Sequence, residues 1–466
     1  MPPISVTLSA ELAELDESPG SLTWPLVEAW AVVMRDEVPA AVLAAGLEQL
    51  QDRLIDRVCG PRWLPVRGLP APFACPGCGV MQDFARKGNR SRPRRIDTSV
   101  GIVRLRLANV GCRGCGRVFA PLLLMLDLTG RRRTDRLAVD LAELASQMSF
   151  ARAAAVAHRF GMPASAGRAH HAVADVAPLL MDSIGRPELG GRPELGGRAE
   201  RSAAEPRSAV VVLDGTGMRA GSRRLGVSCN IALGLTGRSG PRRRRRARTV
   251  LLGLTLDQPW TALALQLDGV PAPVMVVVDG ELAVTRLSEQ VWPDTPIQRC
   301  WWHLARALRW ALYADHAPHA WSRAKRTELA ELLQTVARER LTHPQALAHY
   351  DAFCDSIIAE DHHAAAELLL GARDQVFTCL QPAVRAALAH LGGPELGSGV
   401  LERVMRELNA RTDIGGSRWS IAGLRDLITV QLACMTQHPA WRTLRQNTHP
   451  LNIIDFKIND LKFNAG

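Results

Sequence analysis

Apolar positions recur at helical spacing from residue 26 to 58, through LVEAWAVVMRDEVPAAVLAAGLEQLQDRLIDRV, and predict a helix that Pro39 can break. It reads as a packing or self-association arm within residues 1–70. Pro61, Pro65, Pro70 and Pro72 punctuate the chain after it. TSVGIVRLRLANVGC then alternates as a strand pair. Three further helices each start on a hydroxyl residue suited to capping: Thr134 before DRLAVDLAELASQ, Ser149 before FARAAAVAHRF and Ser165 before AGRAHHAVADVAPLLMDS. The Gly161-Met-Pro-Ala turn between the last two has the length of a helix-turn-helix. The third helix would then present Arg168, His170 and His171 to a DNA groove. An ordinary three-helix bundle shares the pattern, and the run of arginines at 131–133 tips it toward DNA. Residues 185–207 hold GRPELG twice and no core-forming period, which predicts an exposed linker.

At 208 the pattern changes. SAVVVLD, RRLGVSCNIALGLTG and ARTVLLGLTLD read as three strands joined by turns, an antiparallel meander. WTALALQL suits a crossover helix, PVMVVVD a fourth strand and TPIQRC a fifth, with a helix at 280–291 between them. Three meander strands, a helix and then a strand added beside the first is the order of the ribonuclease-H-like fold. That order brings Asp214, near the end of the first strand, close to Asp279, at the end of the fourth.

Composition narrows the partner. The 466 residues carry a formal charge of +11, with pI near 9.6, and exceed the usual size of one core, so roughly two to four modules are expected. A strongly basic chain suits a polyanion, nucleic acid first and an anionic membrane surface second. No run of about 18 apolar residues occurs, and MPPISVTLSAELAELDE has neither a basic nor an apolar leader segment, so a cytoplasmic protein is expected. The last twenty residues, 447–466, are richer in Asn, Ile and Phe than the rest and read as an atypical tail.

Ten cysteines in such a chain point to metal ligation and buried thiols. Cys75-Pro-Gly-Cys78-Gly and Cys112-Arg-Gly-Cys115-Gly are two knuckles, each able to aim backbone N–H groups at two thiolates. Together they predict a closed tetrahedral Zn2+ site in a zinc ribbon over 71–125, flanked by Arg86, Lys87, Arg90, Arg92, Arg94 and Arg95. Asp214 and Asp279 repel each other unless cations bridge them, and hard oxygen ligands select Mg2+ or Mn2+. The third carboxylate is taken as Glu402 in SGVLERVMRELNART, because Arg406 and Asn409 share its helical stripe. Glu407 competes, about 140° around the helix. Arg242, Arg243, Arg244, Arg245 and Arg246 form a hairpin tip expected to add salt-sensitive phosphate contacts.

The stretch 274–310, PVMVVVDGELAVTRLSEQVWPDTPIQRCWWHLARALRW, resembles the prokaryotic Mutator-type DDE transposases of insertion sequences. The resemblance rests on Asp279-Gly280, Pro293 and Gln298-x-Cys300-x-x-His303. LERVMRELNART is similar to that family's catalytic-glutamate helix at Glu402, Arg403, Glu407, Arg411 and Thr412. Asn409 departs from it, standing where a basic residue is frequent. The resemblance covers roughly 208–435. It implies a ribonuclease-H-like core, 208–303 and 396–440, interrupted by an all-helical insertion at 304–395; with the zinc ribbon and the helix-turn-helix DNA-binding domain expected at 131–184, the chain reads as multidomain α/β.

The resemblance further implies a DNA transposase that cleaves element ends by two-metal hydrolysis and joins them to target DNA. Asp214, Asp279 and Glu402 would be its catalytic metal ligands, Cys300, His303 and Arg406 would lie near them, and Asn409 and Arg411 would reach DNA. Its partners would be double-stranded DNA and further copies of itself, in the nucleoid. Cys300 and His303 read alone are half a zinc site with no second Cys/His pair at a fitting distance, so His303 is expected beside the active site, contacting DNA or holding Asp279; Trp301, Trp302 and Trp310 read as core of the insertion, with a stacking surface for an unpaired base as the alternative. A domesticated DNA-binding protein and a non-mobile nuclease of the same fold are the rival readings. Inverted repeats flanking the gene would favour the mobile element over both.

Overall fold

The computed structural model describes residues 24–60, 69–89, 92–184, 208–220, 226–239, 246–389, 399–414 and 418–449. The predicted linker at 185–207, Arg242 to Arg245 of the hairpin tip, and all of the tail beyond His449 lie outside these residues. Two compact units divide the chain. One runs to Asp175 and resumes at Arg445; the other is Val176–Leu444.

The first unit opens with α1 (Trp24–Cys59), a single helix that runs through Pro39. Packing overrides the proline, because α1 is not a free arm but one wall of the ribbon's core. Leu54, Ile55 and Val58 are buried with Phe73, Cys75, Phe84, Val110 and Cys112. The ribbon comprises β1 (Phe84–Asn89), β2 (Arg94–Thr98), β3 (Gly101–Leu105), β4 (Ala108–Cys112) and β5 (Val118–Phe119), as a β1-β4-β5 sheet and a β2-β3 hairpin. Buried Gln51 of α1 accepts from the Ala108 N–H at 2.9 Å and donates to the Arg106 carbonyl at 3.0 Å. Gly101, at φ 118, closes the hairpin where a Cβ would crowd the Ala40 side chain and the Asp36 carbonyl at 3.3 Å.

After the short α2 (Pro121–Met125) come α3 (Asp135–Gln147), α4 (Phe150–Arg159) and α5 (Ala166–Met181). Their predicted caps are present: Thr134, Ser149 and Ser165 hydroxyls accept from the N–H groups of Leu137, Arg152 and Arg168 at 3.3–3.4 Å. The chain passes into the second unit within α5.

The second unit is built on a five-stranded mixed sheet of β6 (Val210–Met218), β7 (Val227–Ser239), β8 (Arg246–Leu256), β9 (Met275–Val278) and β10 (Ile297–Arg299), in the order β10-β9-β6-β7-β8. β6, β7 and β8 form the antiparallel meander, and β9 and β10 add on the other side of β6, parallel to it. Between β8 and β10 the chain forms α6 (Trp260–Leu267) and α7 (Leu282–Val291). They bury Leu263, Leu267, Val284 and Leu287 against Val211, Leu213, Val276 and Val278. Side chains alternate across a strand, so Val212, Asp214 and Thr216 face the opposite side of the sheet.

A helical block follows, of α8 (Trp301–Ala314), α9 (His319–Glu339), α10 (His343–Ile358), α11 (His363–Val376) and α12 (Pro382–Ala387). α13 (Gly399–Thr412) then packs on β6 and α14 (Ile421–Thr436) on β8. α15 (Pro439–Thr448) carries the chain back to the first unit, where His449 bonds Asp140 at 2.7 Å and Arg445 pairs with Glu143 at 3.3 Å. The start of the atypical tail thus belongs to folded structure.

Candidate metal centres

Asp214 reaches the front of the sheet because β6 pairs on both edges, with β7 at Asp214↔Ile231 and with β9 at Val212↔Val277. Asp214 is 4% exposed. Two helix N-terminal turns bring its neighbours. Cys300 caps α8, and its N–H bonds the Val278 carbonyl at 2.8 Å, which fixes the start of that helix against β9 and points His303 across the strand ends. Glu402 lies in the first turn of α13, whose Asn409 amide meets the Thr216 hydroxyl of β6 at 3.5 Å. His303 Nε2 stands 3.4 Å from a Glu402 oxygen and 3.9 Å from an Asp214 oxygen. The three residues offer ligand atoms all within 4.8 Å of one another, a group compatible with holding a metal ion.

Asp279 stands beside this group and not within it. It directly follows β9, and one of its oxygens accepts from the Glu281 N–H at 2.8 Å, just before α7. Its charge is still felt. Burial, then the Asp279 and Glu402 charges, raise the Asp214 pKa to about 6, against the opposing pull of His303 and the Gly215 N–H. Burial pulls His303 down, but its Cys300 hydrogen bond and the charges of Asp214 and Glu402 prevail and leave it above its ordinary value.

The Asp214 shift has a sign that thermal melts can check. An acid whose folded pKa exceeds its unfolded value of about 3.9 binds more protons when folded, so stability falls as pH rises from about 4 to about 6 and stays low above that. Without added divalent ions, Asp214→Asn is expected to be more stable than the parent at pH 7, by up to about 3 kcal/mol at 1.36 kcal/mol per pKa unit. It should also lose the decline between pH 4 and 6. Equal melting profiles across pH 4–8 would contradict this account.

Arg299, which the sequence pattern left unremarked, is buried, with its guanidinium against the Gly280 backbone next to Asp279. A Cβ on Gly280, at φ 89, would fall on its Nη1, so the Asp-Gly pair is needed for the guanidinium to lie over that backbone. Burial lowers the Arg299 pKa while Asp279 opposes the fall. Gln298 has a different task from its neighbours. Its buried amide donates to the Val376 carbonyl at 2.8 Å and accepts from the Cys379 N–H at 2.9 Å, and the Trp301 indole bonds the same carbonyl at 2.5 Å. These bonds lock the far end of α11 to the sheet. Gln298→Ala leaves the Cys379 N–H unpaired and is expected to cost about 1–3 kcal/mol, measured as a lower Tm. An unchanged Tm would remove Gln298 from this role.

Several sequence-predicted contacts are placed elsewhere. Arg411, expected at DNA, is 3% exposed, with its guanidinium 5.1 Å from the centre of the Trp419 ring, and burial lowers its pKa to about 10. The reason is periodic: Leu401, Val404, Leu408, Arg411 and Thr412 form the buried stripe of α13. Asn409 is turned toward β6, whereas Arg406 and the competing Glu407 are exposed. In the first unit Arg168 is held by Asp97 at 3.1 Å and the Pro163 carbonyl at 3.2 Å, while His170 and His171 are exposed, His170 edge-on to Phe150. The side chain of Arg246, at the start of β8, is not among those described.

The four knuckle cysteines come together as the sequence predicts, and with the Asp214 group they are the two His/Cys/Asp/Glu clusters of metal-binding geometry among the described residues. Sγ atoms of Cys75 and Cys115 lie 3.6 Å apart, and those of Cys78 and Cys112 3.5 Å. Four thiolates about 2.3 Å from one ion would stand about 3.8 Å from each other, so the set fits a tetrahedral cation. Burial opposes ionisation of Cys75, but the N–H groups of Gly77 and Cys78 and the neighbouring thiols lower it to about 7. Cys300 joins neither cluster.

No protein-family model matches the chain, and no curated protein matches it. No helix among the described residues is long and apolar enough to cross a membrane.

Proposed function

We propose that this chain is a DDE-type DNA transposase with a ribonuclease-H-like catalytic unit. The observation that carries the reading is the convergence of Asp214, His303 and Glu402 at the strand ends of the mixed sheet, with Asp279 beside them. The strand order β8-β7-β6-β9-β10 supports it, as do the helical block between the second Asp and the Glu and the basic charge of the chain.

In this reading Asp214, Asp279 and Glu402 supply hard oxygen ligands for Mg2+ or Mn2+, and His303, 3.4 Å from Glu402 and 3.9 Å from Asp214, stands where it can position them. The bound divalent ions would supply Lewis acidity and a nucleophile at neutral pH. Arg299 holds the Asp279-Gly280 turn in place, which leaves Asp279 able to face a ligand without the loop rearranging. The four knuckle thiolates bind Zn2+ as a structural ion, and the ribbon with α3–α5 supplies DNA recognition through exposed groups such as His170 and His171.

The test is a plasmid carrying the sequences that flank the gene in its host DNA. Mg2+-dependent nicking at inverted repeats within those flanks is the expected result. Binding without cleavage would point to a domesticated DNA-binding protein, and cleavage at random sites to a non-mobile nuclease; either would overturn the reading.

A further inference from the structure

α8 carries two faces. Trp301, Leu304, Leu308 and Leu312 are buried in the helical block. The opposite face, at i, i+4, i+7, i+8 and i+11, is Trp302, Arg306, Arg309, Trp310 and Tyr313. Its aromatic rings are unusually open: Trp302 is 54% exposed, Trp310 58% and Tyr313 76%. The Arg306 guanidinium lies 5.5 Å from the Trp302 ring centre and that of Arg309 5.4 Å from Trp310. Trp310 and Tyr313 stand edge to face at 6.5 Å. No acidic residue occurs within α8, so the face is positive and aromatic throughout. It starts at the candidate metal centre, because Trp302 packs edge-on to His303 at 4.8 Å.

Exposed indole and phenol rings would ordinarily be buried or replaced on a soluble surface, and guanidinium groups resting on them keep their remaining N–H groups available for phosphate. Rings give every base a π-face to stack on, and interleaved arginines neutralise the backbone, which is how unpaired strands are held without reading sequence. From Trp302 to Tyr313 the helix rises about 16 Å at 1.5 Å per residue, the length of about five nucleotides at 3.4 Å each. A duplex would bury its base faces and leave the rings nothing to stack on.

We infer that this face of α8 is a track for an unpaired DNA strand leading to or from the metal centre, with bases stacked on Trp302, Trp310 and Tyr313 and phosphates held by Arg306 and Arg309. The inference rests on the proposed function for the identity of the strand, and its test is separable from that reading.

Binding of a fluorescein-labelled 12-nucleotide single strand and of the matching blunt duplex is measured by anisotropy on the full chain, with no divalent ion added. Trp302→Ala/Trp310→Ala is expected to weaken single-strand binding about ten- to a hundredfold and duplex binding less than about twofold, with Trp302→Phe/Trp310→Phe recovering most of the loss. Arg306→Ala/Arg309→Ala should lower the single-strand salt slope by about 1.4, at about 0.7 per phosphate contact. Equal losses on both DNAs, no loss on either, or a change in sedimentation of the tryptophan variant without a change in strand binding would overturn the proposal; the last would assign the face to self-association. Plasmid cleavage by the same variant separates the two ideas. Mg2+-dependent cleavage with normal single-strand binding defeats the track alone, whereas selective loss of strand binding in a chain that cleaves nothing defeats only the catalytic reading.

Discussion

Glu402→Gln and Asp214→Asn proteins are expected to bind DNA as the parent does while Mg2+-dependent cleavage falls by about three orders of magnitude or more. Each removes an anionic oxygen from the cluster in which Asp214, His303 and Glu402 offer ligand atoms within 4.8 Å, and with it one ligand that the proposed metal ion would need. Three decades correspond to roughly 4 kcal/mol of transition-state stabilisation, within what a bound metal supplies at a phosphoryl centre. Glu407→Gln is the control, since Glu407 is exposed on the same helix and should leave the rate within about twofold. Asp279→Asn is the sharper case. If Asp279 turns from the Glu281 N–H to the ion during the reaction, its loss should match that of Glu402. Full cleavage by the Glu402 or Asp214 variant would remove the carboxylates from the chemistry.

The second large effect concerns the thiolate cluster. Cys112→Ser, or prolonged chelation of the parent, is expected to unfold the ribbon together with α1. The site is not an appendage, because Cys75 and Cys112 are buried within the core formed by Leu54, Ile55, Val58, Phe73 and Phe84. Structural zinc contributes on the order of 10 kcal/mol or more to folding of such domains, more than a small core supplies alone. Elemental analysis should find one zinc per chain. Loss of that zinc should abolish specific DNA binding and lower the far-ultraviolet helical signal through α1. A chelated protein with unchanged circular dichroism would show the four thiols to be held by packing alone.

Local chemistry was readable along the chain. The three hydroxyl caps at Thr134, Ser149 and Ser165 rest on contacts three residues away, and the CxxCG spacing confines its thiolates to a tight turn, so both are visible in a short window. Strand order followed from alternation and connection length. What the pattern did not contain are contacts made across long stretches of chain. Arg168 is used up by Asp97, a residue of the ribbon hairpin, and nothing around either position announces the pairing. Gln298 reads as part of a motif, but its task is defined by Val376 and Cys379, about eighty residues on. Arg411 was a different failure. Its place in the apolar stripe of α13 was present in the sequence, but its charge suggested a surface position, and Trp419 makes the buried position tolerable. His303 was expected near the carboxylates, and its ring nitrogen comes close enough to Glu402 and Asp214 to join their group.

The chain leaves the first unit within α5 and returns to it at Arg445, where the Glu143 and Asp140 partners on α3 await Arg445 and His449. Topologically, then, the unit with the carboxylates is a guest inside a host that the linear order of the gene would not reveal. A deletion from residue 445 onward is a lesion of the first unit, although it removes the far end of the chain. A dissection of the molecule into two working fragments needs the 24–175 and 445–449 segments spliced together, since neither half of the gene encodes that unit whole.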